Sequence, residues 1–318
     1  MIDDVLLKQL PPCTAVIRGA RLSDYTTFKL GGACPALIEC PDAQSLAETA
    51  RQLHDRSVEF LVVGQGSNLL VADEGIDSVV LRYCSEDAPD VRFDGDRVHV
   101  SGNTLVDDLV RLTLERGVGD LSFCSGIPGT VGGAIVGNAG AFGRQIGDMV
   151  EFVQLLDGSG RQRKVATDEL GFEYRSSILK QSGGVVLSAI LRMQSEDIET
   201  MQKERDRIME LRRTKHPDWR AMPCAGSVFR NIEPTSAAGR RQAAGWFLEE
   251  AGAKDFRVGG AHLFEKHANI IIADAGASAR DVFELTEKMI SAVREKFGFE
   301  LRREIKLLGS FEIGKRAH

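Results

Sequence analysis

Several signatures are missing from the 318 residues, and each absence removes a class of function. No uninterrupted apolar run approaches the roughly 20 residues needed to cross a bilayer, so a membrane role is not expected. The six cysteines (Cys13, Cys34, Cys40, Cys84, Cys124 and Cys224) form no Cys-x-x-Cys pair, which argues against zinc and against a disulfide framework, and no metal site is expected. They read as reduced thiols of the cytoplasm. Basic residues are not in excess: 40 Lys and Arg face 46 Asp and Glu, a formal charge of −6. General attraction to nucleic acid or anionic lipid is therefore not expected, and an anionic ligand must be held locally. Met1-Ile-Asp-Asp-Val lacks the basic start and apolar core of a signal peptide and soon meets Pro11-Pro12, so export is not expected.

What is present is concentrated glycine. Seven of the 33 glycines lie between Gly126 and Gly143, within Cys124-Ser-Gly-Ile-Pro-Gly-Thr-Val-Gly-Gly-Ala-Ile-Val-Gly-Asn-Ala-Gly-Ala-Phe-Gly143. Interior glycine costs about 0.5–1 kcal/mol against alanine, so this density calls for positive φ or for backbone touching something flat or anionic. Between Gly126 and Gly143 only Thr130 and Asn138 offer side-chain hydrogen bonds, and the stretch reads as backbone amides lining a buried ligand. A second stretch follows the same logic. The apolar run Phe60-Leu-Val-Val63 enters Gly64-Gln-Gly-Ser-Asn68 and continues as Leu69-Leu-Val71, a strand and tight loop whose amides, with Ser67 and Asn68, suit a diphosphate. Neither stretch is a P-loop or a complete dinucleotide fingerprint. Two glycine-rich turns in an irregular domain remain the other reading.

With 43% hydrophobic and 27% charged residues, the chain is long enough for two domains or three small ones. Thr26–Gly32 reads as a short strand ending in a glycine turn. Pro41-Asp-Ala-Gln-Ser45 opens a helix with Leu46, Ala50 and Leu53 on one face, and strands follow at 59–63, 78–83 and 97–100. Asn103-Thr104 caps a helix with Leu105, Leu109 and Leu112 on one face, ended by Gly117. A hairpin is expected at 151–157 and 161–165, then an apolar strand over 184–193. The charged stretch 195–213, with Ile198, Met201, Ile208 and Leu211 as a thin apolar stripe, reads as a half-exposed linking helix. Beyond it come a helix over 241–251, a strand over 270–273, a helix over 281–297 opened by a Ser278-x-x-Asp281 box, and a last strand over 299–308. Strands and helices mix without a strict repeat, which points to α+β.

Gly64-Gln-Gly-Ser-Asn-Leu-Leu70, Gly126-Ile-Pro-Gly-Thr-Val-Gly-Gly133, Asn138-Ala-Gly-Ala-Phe-Gly143 and Tyr174-Arg-Ser-Ser177, in this order, resemble the motif series of UDP-N-acetylenolpyruvoylglucosamine reductases, flavoenzymes of bacterial cell-wall synthesis. The resemblance runs from about Thr26 to about Gly309. It implies an α+β fold with a two-part FAD-binding domain of the PCMH (vanillyl-alcohol-oxidase-like) type over 1–195, split near 83. A smaller α/β substrate domain would follow over 196–318, and whether its last residues return to the first lobe stays open. It also implies a monomer acting on a small-molecule nucleotide, with noncovalent FAD as cofactor and NADPH as co-substrate. Candidate cofactor contacts are Gly64, Gln65, Gly66, Ser67, Asn68, Leu69, Ser125, Gly126, Ile127, Pro128, Gly129, Thr130, Gly132, Gly133, Asn138, Gly140 and Gly143.

Arg175 follows Phe172 in a region that otherwise reads as core, so it needs an anionic partner or an exit to solvent. By resemblance it holds the enolpyruvyl carboxylate, a job suited to bidentate guanidinium geometry. Ser227, in Ala225-Gly-Ser-Val-Phe-Arg-Asn231, is outside any Gly-x-Ser-x-Gly nucleophile motif. The resemblance makes it the proton donor and makes Tyr174, Lys215 and Asn231 substrate contacts; His267, in a stretch that resembles one close to the family's active site, is a candidate contact, with a structural histidine as the other reading. In the final strand Phe299, Leu301, Ile305 and Leu307 alternate with Glu300, Arg302, Glu304 and Lys306. The pattern alone gives a solvated face, whereas resemblance to the family's closing motif makes Glu304 catalytic. Phe264, Ile270, Ile232 and Arg302 depart from the family pattern. No tyrosine follows Tyr174, so the extra capping loop of the family's longer form is missing and the chain resembles the compact second type. Two rivals are another noncovalent-FAD oxidoreductase of the same fold and a nonenzymatic nucleotide-binding descendant.

Overall fold

The computed structural model describes residues 6, 9–233 and 241–311; Met1–Val5, on which the export expectation rests, lie outside them. The chain divides into two compact units, one of Met1–Ala20, Pro35–Gln65 and Ser78–Arg212, the other of Arg21–Cys34, Gly66–Asp77 and Arg213–His318.

The first unit holds two sheets. One contains β1 (Ala15–Arg18), β2 (Ala36–Cys40), β3 (Phe60–Val63) and β4 (Val79–Tyr83), in the order β1-β2-β4-β3. Strand β4 runs parallel to both β2 and β3. Helix α1 (Ala43–Asp55) crosses from β2 to β3, as such a parallel arrangement requires. Its start was legible: Asp42 accepts from the Ser45 amide at 2.7 Å, and Leu46, Ala50 and Leu53 are fully buried. The other sheet is antiparallel, with β5 (Val91–Asp94), β6 (Arg97–Ser101), β7 (Val150–Leu156), β8 (Gln162–Ala166) and β9 (Val185–Arg192) in the order β8-β7-β9-β6-β5. Val98, Val100, Val153, Leu155, Ala189 and Leu191 form one core with residues of α2 (Val106–Arg116) and α3 (Val131–Gly137).

Two features depart from the sequence expectation here. The buried face of α2 is Val106, Leu109, Val110, Thr113 and Leu114, while Leu105 is its exposed N-cap without a side-chain capping bond. The cause is remote: Leu105 bridges Thr130, the Val106 amide donates to the Gly129 carbonyl and the Val131 amide to the Thr104 carbonyl. The chain thus stays extended one residue longer and the helix face rotates. The glycine-rich stretch, moreover, is not all loop, because α3 forms inside it. Helix α4 (Ile198–Lys215) follows the expected thin stripe, with Met201 and Ile208 buried.

The second unit has an antiparallel meander of β10 (Arg257–Val258), β11 (Ala261–Phe264) and β12 (His267–Ala273), which shares one core with α5 (Ala244–Glu250) and α6 (Ala279–Phe297). Ser278 and Asp281 form the expected capping box on α6. Its first two amides, at Ala279 and Arg280, also donate to the Asp73 carboxylate at 2.8 and 3.0 Å, which binds the 66–77 segment to this unit. Thr26–Gly32 is not a strand: Lys29 and Gly31 have φ of +52° and +125°, which no ladder accommodates. The last strand is shorter than expected. Lys306–Leu308 (β13) forms a ladder, in parallel with Leu69–Val71, and Arg303 makes a single antiparallel bridge to Phe229, while Leu301 and Ile305 keep the inward alternation without a continuous ladder.

Candidate functional site

In the first unit Gly64 and Gln65 lie against Gly129 and Thr130 of the longer glycine-rich stretch. A Cβ on Gly64 would lie 2.7 Å from Thr130 Oγ1, and Gln65 Oε1 accepts from the Gly129 amide at 2.8 Å. Glycine at 64 therefore permits loop-on-loop contact. Thr130 then caps α3 by accepting from the Gly133 amide at 3.3 Å. The Val131 and Gly132 amides donate at 2.8 Å to the Thr104 and Gly102 carbonyls. The expectation of ligand-facing amides is thus corrected for 131–133, whose N–H groups already have protein acceptors.

What α3 offers a ligand is shape. Gly132 faces inward, where a Cβ would stand 3.0 Å from the Gly102 and Val186 carbonyl oxygens. Gly133 is exposed, and its Cβ would meet only Thr130 Oγ1, at 3.4 Å; one on Gly137 would meet nothing within 4 Å. The result is a side-chain-free outer face, beside the laced loops, on which a flat group can lie at backbone distance. These residues fit a flavin dinucleotide by close approach rather than by an array of free amides.

The other nominated cofactor contacts divide between inside and outside. Ile127, Pro128 and Gly129 are half-buried beside this face, and Gly143, with φ of +80°, is exposed. Ser125 is fully buried and its hydroxyl accepts from Arg205. Gly140 lies in a small hairpin with Arg144. Asn138 is 1% exposed, with its amide bonded to Gln145, Glu173 and Gly147, so it is turned inward rather than toward a ligand. Arg205 grips Asp107 through two bonds of 2.9 Å, and Asp107 accepts from the Gly126 amide at 3.1 Å. Burial works to raise the Asp107 pKa, but those hydrogen bonds outweigh it and hold the carboxyl below its ordinary value. Arg205 and Asp107 are 98 residues apart, so no sequence spacing could have paired them.

Arg175 occupies a tight turn with φ of +55°, its guanidinium 5.5 Å from the Tyr174 ring centre. Arg212 was missed in the sequence because it sits in a helix read as a charged linker. Burial lowers its pKa, Arg175 adds repulsion, and its Nε is buried without a hydrogen-bond partner among the described residues. Two guanidinium groups near one another describe an anion-attracting region of this unit.

In the second unit, Gly66 is fixed by the Tyr25 carbonyl, 2.2 Å from where its Cβ would be, and by φ of +63°. The Ser67 carbonyl accepts from Thr27 Oγ1, and Leu69 begins the strand paired with β13. Asn68 Nδ2 donates to the Glu304 carbonyl at 3.1 Å, and the Glu304 amide donates to the Val228 carbonyl at 2.7 Å. On the other side Ser227 bridges Ile270, and the Asn269 side chain brackets the Phe229 amide and carbonyl at 2.9 and 2.8 Å. Ser227, Glu304 and Asn68 are thereby brought together around one extended segment. Asn231 Oδ1 accepts from the Ala244 amide that opens α5. His267 stacks near His216, with ring centres 5.3 Å apart; burial first, and Lys215 in addition, lower its pKa and keep it neutral at pH 7. Phe264 and Ile270 are core residues, Ile232 pairs with Gln242, and Arg302 is exposed, with its carbonyl accepting from the Arg230 amide. Among the described residues no His, Cys, Asp or Glu cluster could hold a metal ion, and no helix is long and apolar enough to cross a membrane.

Comparison with known proteins assigns families to two parts of the chain. Residues 34–166 match a family described as FAD binding domain, and residues 217–308 match the C-terminal domain family of UDP-N-acetylenolpyruvoylglucosamine reductase. The chain is 35% identical to the UDP-N-acetylenolpyruvoylglucosamine reductase of Bacillus licheniformis and 32% identical to that of Bacillus subtilis, in each case over 92% of this chain and 94% of the relative. The crystal structure of the Thermus caldophilus enzyme of that name is similar with a TM-score of 0.76 and 30% identity, over 93% of this chain and 100% of that one.

Proposed function

Because the chain belongs to the UDP-N-acetylenolpyruvoylglucosamine reductase family, we propose that it reduces UDP-N-acetylglucosamine enolpyruvate to UDP-N-acetylmuramate with NADPH, in peptidoglycan precursor synthesis. FAD, when bound, takes hydride from NADPH and supplies it to the enolpyruvyl double bond. Gln65, Gly129, Thr130 and Gly133 hold the cofactor through the laced loops and the bare face of α3. Arg175 holds the enolpyruvyl carboxylate and, with Glu304, the negative charge that grows as hydride arrives. The Ser227 hydroxyl gives its proton to the ether-bearing carbon. Tyr174, Lys215, Asn231 and neutral His267 bind the rest of the substrate.

The observation that most supports the reading over its rivals is the 2.7 Å bond from the Glu304 amide to the Val228 carbonyl, which sets Glu304 beside the Ser227 segment. Another noncovalent-FAD oxidoreductase of the same fold has no need of that pairing. The reading places the enzyme in the cytoplasm as a monomer and makes it a determinant of cell shape and division. The purified protein tests it: a yellow spectrum, bleached by NADPH and perturbed by the enolpyruvyl nucleotide, is expected. A colourless protein, or a spectrum indifferent to both additions, would sink the proposal.

A further inference from the structure

We propose that Asn138 and Ser177 are positioning residues that clamp the Arg175 turn to the end of α3; this rests on the reading of Arg175 as the carboxylate holder. The turn is Glu173–Ser176, closed by reciprocal 3.0 Å bonds between the amides and carbonyls of its two ends. Arg175 sits in it at φ of +55°, a left-handed conformation natural to glycine and strained for a side chain. Such a conformation persists only where its surroundings over-determine it, and strain of this kind gathers at functional sites.

The surroundings include a hydrogen bond from a buried side chain at each end of the turn, besides Lys180 Nζ, which donates to the Arg175 carbonyl at 2.7 Å. Asn138 Nδ2 donates to the Glu173 carbonyl at 2.8 Å, and Ser177 Oγ donates to the Val136 carbonyl at 2.7 Å. Both side chains are at most 2% exposed. Asn138 is itself the left-handed C-cap of α3, with φ of +45°. Its amide cannot swing, because Oδ1 accepts from the Gly147 amide at 3.0 Å and Nδ2 also donates to Gln145 at 2.9 Å. The helix that presents the bare glycine face therefore also fixes the arginine. Loosening the clamp leaves the face intact and lets the guanidinium drift, and a misplacement of about 1 Å can cost on the order of 10²-fold in rate.

The test uses the flavin-loaded enzyme and compares wild type, Ser177→Ala, Asn138→Asp, Arg175→Ala and the Arg175→Ala/Ser177→Ala double variant. Flavin content, bleaching by NADPH, substrate Kd from the flavin spectrum and anaerobic reoxidation by substrate are measured for each. Asn138→Asp keeps the acceptor for Gly147 and removes the donor to Glu173 and to Gln145. Either single clamp variant is expected to retain flavin and bleach normally while reoxidation slows about tenfold, the scale of one hydrogen bond. Ser177→Thr should recover the rate. In the Arg175→Ala background, loss of Ser177 should add nothing, since its effect passes through the arginine.

Reoxidation within twofold of wild type in both clamp variants overturns the proposal, as does an equal slowing by Ser177→Ala with and without Arg175. Loss of flavin from both clamp variants marks the pair as merely structural and also overturns it. If Arg175→Ala itself reoxidises like wild type, the role given to Arg175 fails and the clamp fails with it.

Discussion

Glycine 133 separates two reasons for keeping a glycine, because the fold and the ligand make opposite demands on it. It lies in α3, exposed, with space for a Cβ that would touch only Thr130 Oγ1 at 3.4 Å. For the protein without cofactor, Gly133→Ala relieves the conformational freedom of a helical glycine and should stabilise by about 0.5–1 kcal/mol. At this chain length that raises Tm by roughly 0.7–1.5 °C. For the loaded enzyme the methyl would stand on the face proposed for the flavin. Overpacking of this kind costs about 1–3 kcal/mol, or roughly 5- to 150-fold in flavin Kd. Gly132→Ala should behave in the reverse sense: its Cβ would stand 3.0 Å from two backbone carbonyls, so the cofactor-free protein itself loses stability. Flavin fluorescence titration and thermal melts of the cofactor-free variants measure both quantities. Unchanged flavin affinity in Gly133→Ala, or a lowered Tm without cofactor, would refute the idea that α3 keeps this glycine for a ligand.

Other outcomes follow from the same geometry. Ser227→Ala should bleach normally with NADPH and slow the substrate half-reaction about 10²- to 10⁴-fold, with partial recovery in Ser227→Cys; turnover within a few-fold of wild type would reduce Ser227 to a turn residue. Arg205→Ala unhooks Asp107 and, through it, the Gly126 amide, so about 1–2 kcal/mol of stability should go, discounted because Asp107 is 46% exposed, together with some flavin affinity. Melts that coincide with wild type would contradict that. For His267 the folded pKa lies below the ordinary 6.5, so on acidification the unfolded chain takes up the proton first. The stability tied to this group is complete above pH 6.5 and is lost as pH falls from there to the folded value. Urea melts at pH 7.5 and 5.5 should show a smaller drop in His267→Asn than in wild type, and an equal drop would exclude the burial as its cause.

What could be read from sequence was local. Asp42 with Ser45, Ser278 with Asp281, and Gly117 after α2 are caps whose partners lie within one turn, and all three took the places their chemistry demands. The 150–166 hairpin was announced by Gly158-Ser-Gly160. The errors came from partners far along the chain. Thr130 holding Leu105 extended shifted the face of α2, and Lys29 and Gly31 with positive φ undid a strand that apolar residues had suggested. The glycines correctly signalled close approach, but not to what. Gly64 and Gly132 meet the protein's own backbone and side chains, whereas Gly133 faces outward. For the same reason Asn138, read as a cofactor contact, proved to be a buried hub, and Arg212 and His216 carried no sequence signal.

The central claim is that flavin reduced by NADPH passes its hydride to an enolpyruvyl nucleotide while a solvent-exchangeable acid supplies the proton. Mixing the NADPH-bleached enzyme with UDP-N-acetylglucosamine enolpyruvate in D2O, without oxygen, tests both halves at once. The account predicts return of the yellow colour in one-to-one proportion to substrate, and a product with one solvent deuterium on the ether-bearing carbon. Colour that returns only when oxygen is admitted, or a product without that deuterium, would contradict it.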